Sequence, residues 1–292
     1  MRRRPRFGAS TTRRHDRYRR RHWNNRNEAA RRSSRRMSSR INLFGIPLDN
    51  LTMADAIATV VRFASSEPPE PPRQVSFVNA ACVNLSYRDP EYREILRTSD
   101  LNLIDGVGMR WAGRRAGTPV VENVNGTDLF PLLCRALSTN DSGSGVGLFL
   151  LGGRPGVAAS VATWVAREFP DTKIAGQHHG YFVEKSDEEQ AVLNEIRSSR
   201  ARVLLVARGA PLQEKWIRRC LDATGVRVAL GVGGLFDYYS GRIPRAPLWI
   251  RRRGCEWCYR LYREPIRLFP RYVLGNPLFL LRMLDRSKLI AK

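Results

Sequence analysis

One carboxylate in this sequence occupies a position from which it could act as a general base. Asp105 comes directly after the apolar run Leu101–Ile104 and directly before the glycine-rich segment Gly106–Gly108. A carboxylate at the end of a buried strand can take a proton from a substrate hydroxyl when its pocket adjusts its proton affinity. The same position is also typical of a helix N-cap. The spacing therefore leaves two roles for Asp105, one catalytic and one structural.

Two turns rich in small residues point to a nucleotide ligand. Gly209–Glu214 follows the apolar run Val203–Ala207, and Gly231–Gly234 follows Arg227–Leu230. Glycine lets backbone N–H groups approach a phosphate closely, and open α/β sheets bind ligands at the carboxyl ends of their strands. Simple chain reversal is the other interpretation of each turn. Taken together, the two turns predict a nucleotide cradle.

Two further turns should converge on the same edge. Asn79 follows the run Val75–Val78, and the segment Gly152–Gly156 follows Val146–Leu151. The second has the pattern G-G-x-x-G, whereas the dinucleotide fingerprint is G-x-G-x-x-G. A nicotinamide-dependent oxidoreductase is therefore an alternative that this turn does not support.

The elements that must position these turns alternate between apolar runs and helical patterns, which predicts an α/β fold with a Rossmann-like, mostly parallel sheet flanked by helices. The predicted strands are Ile41–Ile46, Val75–Val78, Leu101–Ile104, Val146–Leu151, Lys173–Ala175, Val203–Ala207 and Arg227–Leu230. The predicted helices are Thr52–Ser65, Ala80–Arg97, Val107–Ala116, Thr127–Leu137, Gly156–Glu168, Asp187–Ser198 and Leu212–Leu221. Loops are expected at 67–72 and 139–145.

Charge divides the chain of 292 residues into three parts. The net charge of +23 is concentrated at the ends, with +14 over 1–40 and +10 over 242–292, while 41–241 carries −1. We expect 1–40 to be a disordered basic tail, because it lacks the apolar residues that could offset the entropy of ordering. The middle part should be the α/β core. A nonenzymatic nucleic-acid-binding protein is an alternative that rests on the charge alone.

The segment 242–292 predicts a basic amphipathic appendage that associates with a membrane. Arginines alternate there with aromatic and aliphatic residues, a composition suited to a membrane interface. An amphipathic helix packed on the core is the other interpretation, and we expect a mixed role with Trp257 buried. Leu274–Leu284 is too short and interrupted to span a bilayer and should extend the interfacial anchor. No stretch reaches the roughly 18 to 20 apolar residues of a spanning helix, so a peripheral protein is expected.

Cysteine and histidine do not form a metal-site pattern. Among the five cysteines, Cys255 and Cys258 have the spacing of half a zinc site or of a redox pair. A structural zinc site needs a second pair of ligands, and the adjacent His178 and His179 lack the required spacing. We therefore predict no metal ligands.

The motifs in their order carry a resemblance to a known family. The chain resembles the WecG/TagA/CpsF glycosyltransferases over roughly Asn42 to Tyr272. The matching segments are Asn79, Asp89-Pro90, Asp105–Gly108, Gly126–Asp128, Gly152–Gly156, Gly176–Phe182, Gly209–Glu214, Gly231–Asp237, Arg245–Pro247 and Glu256–Pro265.

The resemblance implies an inverting transfer from a UDP-sugar to an undecaprenyl-diphosphate-linked sugar, with Asp105 as general base and UDP as leaving group. Asn79 and Gln213 would position sugar or phosphate beside it. The implied substrate-binding residues are Gly106, Gly108, Asp128, Gly152, Gly153, Gly209, Pro211, Glu214, Gly231, Gly233, Gly234 and Asp237. The arginines implied at the diphosphate and membrane are Arg245, Arg260, Arg263, Arg267 and Arg271.

The implied setting is bacterial polysaccharide synthesis at the cytoplasmic face of the inner membrane. Since the sequence has no Asp-x-Asp pair to hold a divalent ion, we expect metal-independent transfer without a cofactor. The expected partners are the UDP-sugar, the polyprenyl-diphosphate-linked acceptor and the membrane surface, with no specific nucleic acid. A homo-oligomer is left open.

Two positions depart from the family pattern. Many relatives have a threonine where this chain has Phe77 and an arginine where it has Asn123. An arginine lost from a phosphate site must be replaced by another donor, and the arginine-rich appendage is the nearest source. The identity of the donor sugar is left open, since the family uses N-acetylmannosamine, its uronic acid, glucose and glucuronic acid.

Overall fold

An eight-stranded sheet organises the part of the chain that the computed structural model describes, residues 40–138 and 146–290. The strands are β1 (Arg40–Leu43), β2 (Ile46–Asp49), β3 (Arg73–Val78), β4 (Leu101–Ile104), β5 (Leu148–Gly152), β6 (Ile174–His178), β7 (Val203–Ala207) and β8 (Val228–Gly231). The predicted loop at 139–145 and, apart from Arg40, the predicted tail at 1–40 lie outside the described residues.

The strand order is β1-β2-β4-β3-β8-β7-β5-β6. Only the pair β1 and β2 is antiparallel among these strands, and every other pairing is parallel. The predicted Rossmann-like, mostly parallel sheet is thus confirmed. The carboxyl ends of β3, β4, β7 and β8 meet at one edge, where the predicted site residues follow.

The helices of the described residues fall into a core set and a tail set. The core set is α1 (Met53–Ser65), α2 (Ala80–Ser86), α3 (Pro90–Thr98), α4 (Val107–Arg115), α5 (Gly126–Ser138), α6 (Val157–Glu168), α7 (Asp187–Ser198), α8 (Leu212–Thr224) and α9 (Leu235–Tyr239). The tail set belongs to the C-terminal appendage 242–292, which is called the tail from here on. It is α10 (Leu248–Arg252), α11 (Glu256–Arg263), α12 (Pro265–Phe269), a π-helical turn (Pro270–Leu274), α13 (Gly275–Leu284) and α14 (Arg286–Leu289).

Side chains alternate between the two faces of the sheet, and both faces are covered by helices. In β5, Leu148 and Leu150 pack with residues of α1, α5 and α6, whereas Phe149 and Leu151 pack with residues of α7 and α8. Burial on both sides explains why the central strands read as continuous apolar runs rather than as alternating patterns. The run Val203–Ala207 is buried throughout.

Two predicted elements are divided in the structure. The single strand expected at Ile41–Ile46 is a hairpin, because the backbone reverses at Phe44 and Gly45, both with positive φ. The single helix expected at Ala80–Arg97 is broken before Pro90. The side chain of Asp89 caps the second helix there by accepting from the N–H of Tyr92, and a residue that precedes proline disfavours the helical conformation.

The tail is a succession of short helices, and part of it belongs to the core. Phe279 in α13 and Leu289 in α14 are buried against residues of β1, β2 and α2. Asn84 donates to the carbonyl oxygen of Gly275 across 2.6 Å, and Arg115 donates to that of Met283 across 2.9 Å. Leu274–Leu284 therefore packs on the α/β core through one face. Its other face exposes leucine side chains.

Candidate functional site

A cavity of about 1040 Å³ lies where the turns after β3, β4, β7 and β8 meet residues of the tail. Thirteen of the predicted site residues line it, namely Asn79, Asp105, Gly106, Gly108, Gly209, Gln213, Glu214, Gly231, Gly233, Gly234, Arg260, Arg267 and Arg271. Seven are not among its lining residues, namely Asp128, Gly152, Gly153, Pro211, Asp237, Arg245 and Arg263.

Asp105 is partly buried in the wall of this cavity. Its backbone N–H donates to the carbonyl oxygen of Val78 across 2.9 Å, which joins the ends of β3 and β4. Its carboxylate accepts from the side-chain amide of Asn79 across 3.3 Å. Burial raises the pKa of Asp105, while the Asn79 hydrogen bond and the charge of Arg271 act in the opposite direction. A carboxylate with a raised pKa is a stronger base than an exposed one, as general-base catalysis requires.

The alternative of Asp105 as a helix N-cap is wrong. Gly106 occupies the N-cap position of α4 with φ of 93°, and no side chain among the described residues caps that helix. The N–H of Gly106 donates instead to the side-chain oxygen of Asn123 across 2.5 Å. Asn79 caps a different helix, α2. Its side-chain oxygen accepts from the N–H groups of Ala81 and Cys82 at the start of that helix.

Gln213 joins the two glycine turns. Its side-chain oxygen accepts from the N–H of Gly209 across 3.1 Å and from the N–H of Gly233 across 2.9 Å. Its amide nitrogen donates to Glu214 across 2.8 Å. Gln213 and Glu214 are both buried, so their side chains build the cavity wall more than they project into it. Burial raises the pKa of Glu214 to about 7, against the hydrogen bond from Gln213.

Arginines of the tail give the cavity its positive charge. Arg260 lies over the ring of Tyr238 with 5.2 Å from its guanidinium carbon to the ring centroid, and its Nε atom is buried without a hydrogen-bond partner among the described residues. Arg251, Arg267 and Arg271 also line the cavity. Guanidinium groups in a confined site suit a diphosphate, which accepts several charge-assisted hydrogen bonds.

Two of the predicted residues outside the cavity form an ion pair. Arg245 approaches Asp128 to 2.7 Å and Glu256 to 3.5 Å. This pair connects the start of α5 with the tail. The other predicted residues lie outside the cavity for separate reasons. Asp237 pairs with Arg242 at 2.9 Å, and the side chain of Arg263 is exposed. Pro211 follows a cis peptide bond and occupies the N-cap position of α8.

The turn at Gly152 and Gly153 lies beside the cavity rather than in its wall. β7 separates β5 from β8 in the sheet, so the end of β5 is displaced from the two turns that Gln213 joins. A Cβ atom at Gly152 would lie 2.5 Å from the carbonyl oxygen of Ala207, and the N–H of Gly153 donates to that same oxygen across 3.1 Å. Close packing on the end of β7 accounts for Gly152, whereas at Gly153 a Cβ atom would lie 2.7 Å from the side chain of Val157 in α6.

Several lining residues were missed by the sequence reasoning. Trp257 was expected to be buried, but 36% of it is exposed and it lines the cavity. It lies on α11, a helix in which no described residue is buried. Glu256 beside it also lines the cavity and raises the pKa of Asp105. Trp111 lies one helical turn after Val107 in α4 and therefore faces the same side as the start of the helix that follows Asp105. This helical spacing could have predicted that Trp111 lines the cavity. Phe77 and Asn123, noted for their residue types, both line the cavity.

Two further observations concern metals and membranes. Within residues 40–138 and 146–290, no group of three or more His, Cys, Asp or Glu side chains could hold a metal ion. No helix in this part of the chain is long and apolar enough to cross a bilayer. The tail nonetheless exposes large apolar side chains, among them Ile266 with 93% exposure.

Comparisons with known proteins show which family the sequence matches. The model of the family described as "Glycosyl transferase WecG/TagA/CpsF family" matches residues 41–291. A Bacillus subtilis (strain 168) protein named N-acetylglucosaminyldiphosphoundecaprenol N-acetyl-beta-D-mannosaminyltransferase is 30% identical over 214 residues, which are 73% of this chain and 80% of that protein. A protein of the same name from Bacillus spizizenii is 31% identical over 205 residues, or 70% of this chain and 76% of its own length.

Proposed function

This chain belongs to the WecG/TagA/CpsF family and is a glycosyltransferase, and we propose that it moves a sugar from a UDP-sugar to an undecaprenyl-diphosphate-linked sugar with inversion at the anomeric carbon. The observation that carries the proposal is the placement of Asp105, a partly buried carboxylate with a raised pKa, in a cavity that four arginines of the tail also line.

In the proposed reaction, Asp105 accepts the proton of the acceptor hydroxyl while that oxygen forms a bond to the anomeric carbon of the donor. The bond between the anomeric carbon and the diphosphate oxygen breaks at the same time, and UDP leaves with the electron pair. One displacement of this kind inverts the configuration, so an α-linked donor gives a β-linked product. Asn79 holds the carboxylate in place through its side-chain amide.

The leaving diphosphate needs cationic partners. The N–H groups of Gly209 and Gly233 are already bound to Gln213, which reduces what the glycine turns can offer to a phosphate. We therefore assign this role to Arg260, Arg267 and Arg271, whose charges would stabilise the negative charge that develops on UDP. Such a set makes a divalent ion unnecessary, and we propose metal-independent transfer.

The names of the relatives and the exposed apolar side chains of the tail both support a lipid-linked sugar acceptor. The two Bacillus proteins are named for transfer of N-acetylmannosamine to N-acetylglucosaminyldiphosphoundecaprenol. We extend the polyprenyl-diphosphate-linked acceptor to this chain and leave the donor sugar open. The exposed Ile266, Phe269 and Leu281 would contact the bilayer that holds such a lipid, at its cytoplasmic face, where UDP-sugars are available.

The test is a transfer assay with a panel of UDP-sugars and a short-chain polyprenyl-diphosphate-linked N-acetylglucosamine, run with and without excess chelator. We expect one donor to give a β-linked product, assigned by NMR, at the same rate in both conditions. Retention of configuration would contradict the inverting mechanism. Activity that disappears in chelator and returns with magnesium or manganese would contradict metal independence.

A further inference from the structure

Glu214 is buried at the boundary between the two glycine turns, with an exposure of 1%. Its side chain accepts a hydrogen bond from Gln213 at Oε1, across 2.8 Å. Its other oxygen, Oε2, is buried without a partner in this part of the chain. An uncompensated carboxyl group is expensive to bury. A carboxyl group at this position can do what an apolar side chain could not, because it accepts a hydrogen bond from the neighbouring amide.

The hydrogen bonds of the Gln213 side-chain amide indicate what the carboxyl group of Glu214 does. The oxygen of Gln213 faces two donors, the N–H groups of Gly209 and Gly233. If the amide were turned over, its nitrogen would face those donors and both hydrogen bonds would be lost, because an amide NH2 cannot accept them. The acceptor at Glu214 fixes the nitrogen on the opposite side. The carboxyl group thereby selects the orientation in which Gln213 holds both turns.

The contacts around this pair connect three adjacent strands. The first turn follows β7 and the second follows β8, while Gln74 of β3 donates from its side chain to the backbone oxygen of Glu214 across 3.2 Å. A Cβ atom at Gly231 would lie 2.9 Å from the amide nitrogen of Gln213 and 3.2 Å from Oε1 of Glu214. The end of β8 thus packs directly on the pair. A change in either side chain would be transmitted to the turns.

From these contacts we propose that Glu214 is a positioning residue, which orients Gln213 so that the Gly209 and Gly233 turns form one rigid wall of the nucleoside-diphosphate site. Glu214 itself does not touch the ligand. The identity of that ligand rests on the proposed function, whereas the coupling of the two turns does not. A separate measurement can therefore address each part.

The first measurement is amide hydrogen exchange at Gly209 and Gly233 in the ligand-free full chain, resolved by NMR. In Glu214→Met the acceptor is lost but the length and apolar stem are kept, and we expect both amides to exchange about fivefold to tenfold faster. Glu214→Gln retains an oxygen that can accept, and both amides should exchange at about the wild-type rate. Unchanged exchange in Glu214→Met would overturn the proposal.

The second measurement is UDP binding by calorimetry, together with the KM for the donor and kcat. We expect about fivefold to tenfold weaker binding and a raised KM in Glu214→Met, with kcat little changed and Glu214→Gln close to wild type. Equal losses of UDP affinity in both variants would show that the carboxylate itself contacts the ligand, which overturns the proposal.

Two further experiments cover the cases in which Glu214→Met does not fold or the wild type does not bind UDP. If Glu214→Met fails to fold, Gly231→Ala provides a second variant, because its Cβ atom would press on both the Gln213 amide and Oε1 of Glu214. It should accelerate exchange at the same two glycines, and normal exchange in that variant would count against the coupling. If the wild type does not bind UDP while the exchange pattern holds, the proposed donor is wrong and the positioning role of Glu214 stands.

Discussion

The side-chain amide of Asn79 donates to Asp105 across 3.3 Å, while its oxygen accepts from the N–H groups of Ala81 and Cys82 at the start of α2. One residue thereby connects the proposed base to the first turn of a helix. The hydrogen bond favours the ionised carboxylate and lowers the pKa of Asp105, whereas burial, the larger effect, raises it. Burial thus makes Asp105 a stronger base than an exposed carboxylate, and the hydrogen bond from Asn79 limits the rise in its pKa.

Replacement of Asn79 by serine should move the pH dependence of transfer. Serine retains an oxygen that can cap α2 but lacks the amide donor, so the pKa of Asp105 should rise further. Because the base must be ionised, activity falls as the pH drops through this pKa, and the acid limb of kcat/KM should shift upward by about one pH unit. Asn194→Ser on the exposed face of α7 is the control. An acid limb that stays in place or moves downward would contradict the relationship.

Replacement of Glu214 by glutamine should make stability less sensitive to pH. The pKa of Glu214 is raised from 4.5 to about 7 in the folded protein. Its contribution to the free energy of unfolding is therefore fully present below about 4.5 and is lost as the pH rises towards 7. The variant should equal the wild type near pH 4.5 and exceed it by about 3 kcal/mol at pH 8.

Urea unfolding at a series of pH values measures this difference. Two other titratable side chains, Cys82 and Tyr92, interact with the charge of Glu214, and burial raises the pKa of each. Both are neutral across this range and should not alter the sign. A difference that shrinks between pH 5 and 8 would mean that the carboxyl group is ionised and stabilised by a partner.

Replacement of Phe279 by alanine should loosen the packing of α13 on the α/β core and destabilise the protein. The ring has 2% exposure, lies 5.3 Å from the ring of Phe44, and would be 3.1 Å from a Cβ atom at Gly108. We expect a loss of about 3 to 5 kcal/mol in the free energy of unfolding. Leu281→Ala on the same helix removes a side chain with 64% exposure and should cost less than about 0.5 kcal/mol. Similar losses for both would show that α13 does not pack through Phe279.

Replacement of Ile266 and Phe269 by serine should weaken binding to membranes. These side chains have exposures of 93% and 51% on a tail that also carries arginines. Each apolar side chain buried in a bilayer contributes about 1.5 to 3 kcal/mol, so the double variant should bind anionic vesicles at least about tenfold more weakly in cosedimentation. Val183→Ser, which changes an exposed side chain of the α/β core, is the matched control. Equal binding by all three proteins would place the contact elsewhere.

The strands at the centre of the sheet could be predicted because burial on both sides leaves continuous apolar runs. Leu101–Ile104 and Val203–Ala207 were predicted with the bounds that the structure has, and the edge where their ends meet followed from parallel pairing. The hairpin was missed because its turn lies within a largely apolar run. Phe44 has a positive φ that its residue type does not indicate, and the single glycine beside it, Gly45, was taken as part of the strand.

Long-range contacts explain what the sequence could not indicate in the site. The double hydrogen bond of Gln213 depends on Gly233 lying beside Gly209, which requires β7 and β8 to be neighbours. Conversely, the family resemblance implied that the Gly152 turn belongs to the nucleotide site, and the position of β5 outside β7 places that turn to one side of the cavity. Residue types predict what a turn can bind, whereas strand order decides what it lies beside.

The most direct test of the central claim compares three proteins in transfer from the preferred UDP-sugar to the lipid-linked acceptor. These are the wild type, Asp105→Asn, and Asp222→Asn, which removes an exposed carboxylate from α8. All are assayed at equal folded concentration, and UDP binding is measured alongside. Asp105→Asn should lose about a hundredfold to ten-thousandfold in kcat, the range of general-base catalysis, and still bind UDP, while Asp222→Asn stays at the wild-type rate. Transfer by Asp105→Asn within a fewfold of wild type would contradict the account, because the carboxylate would then not be the base.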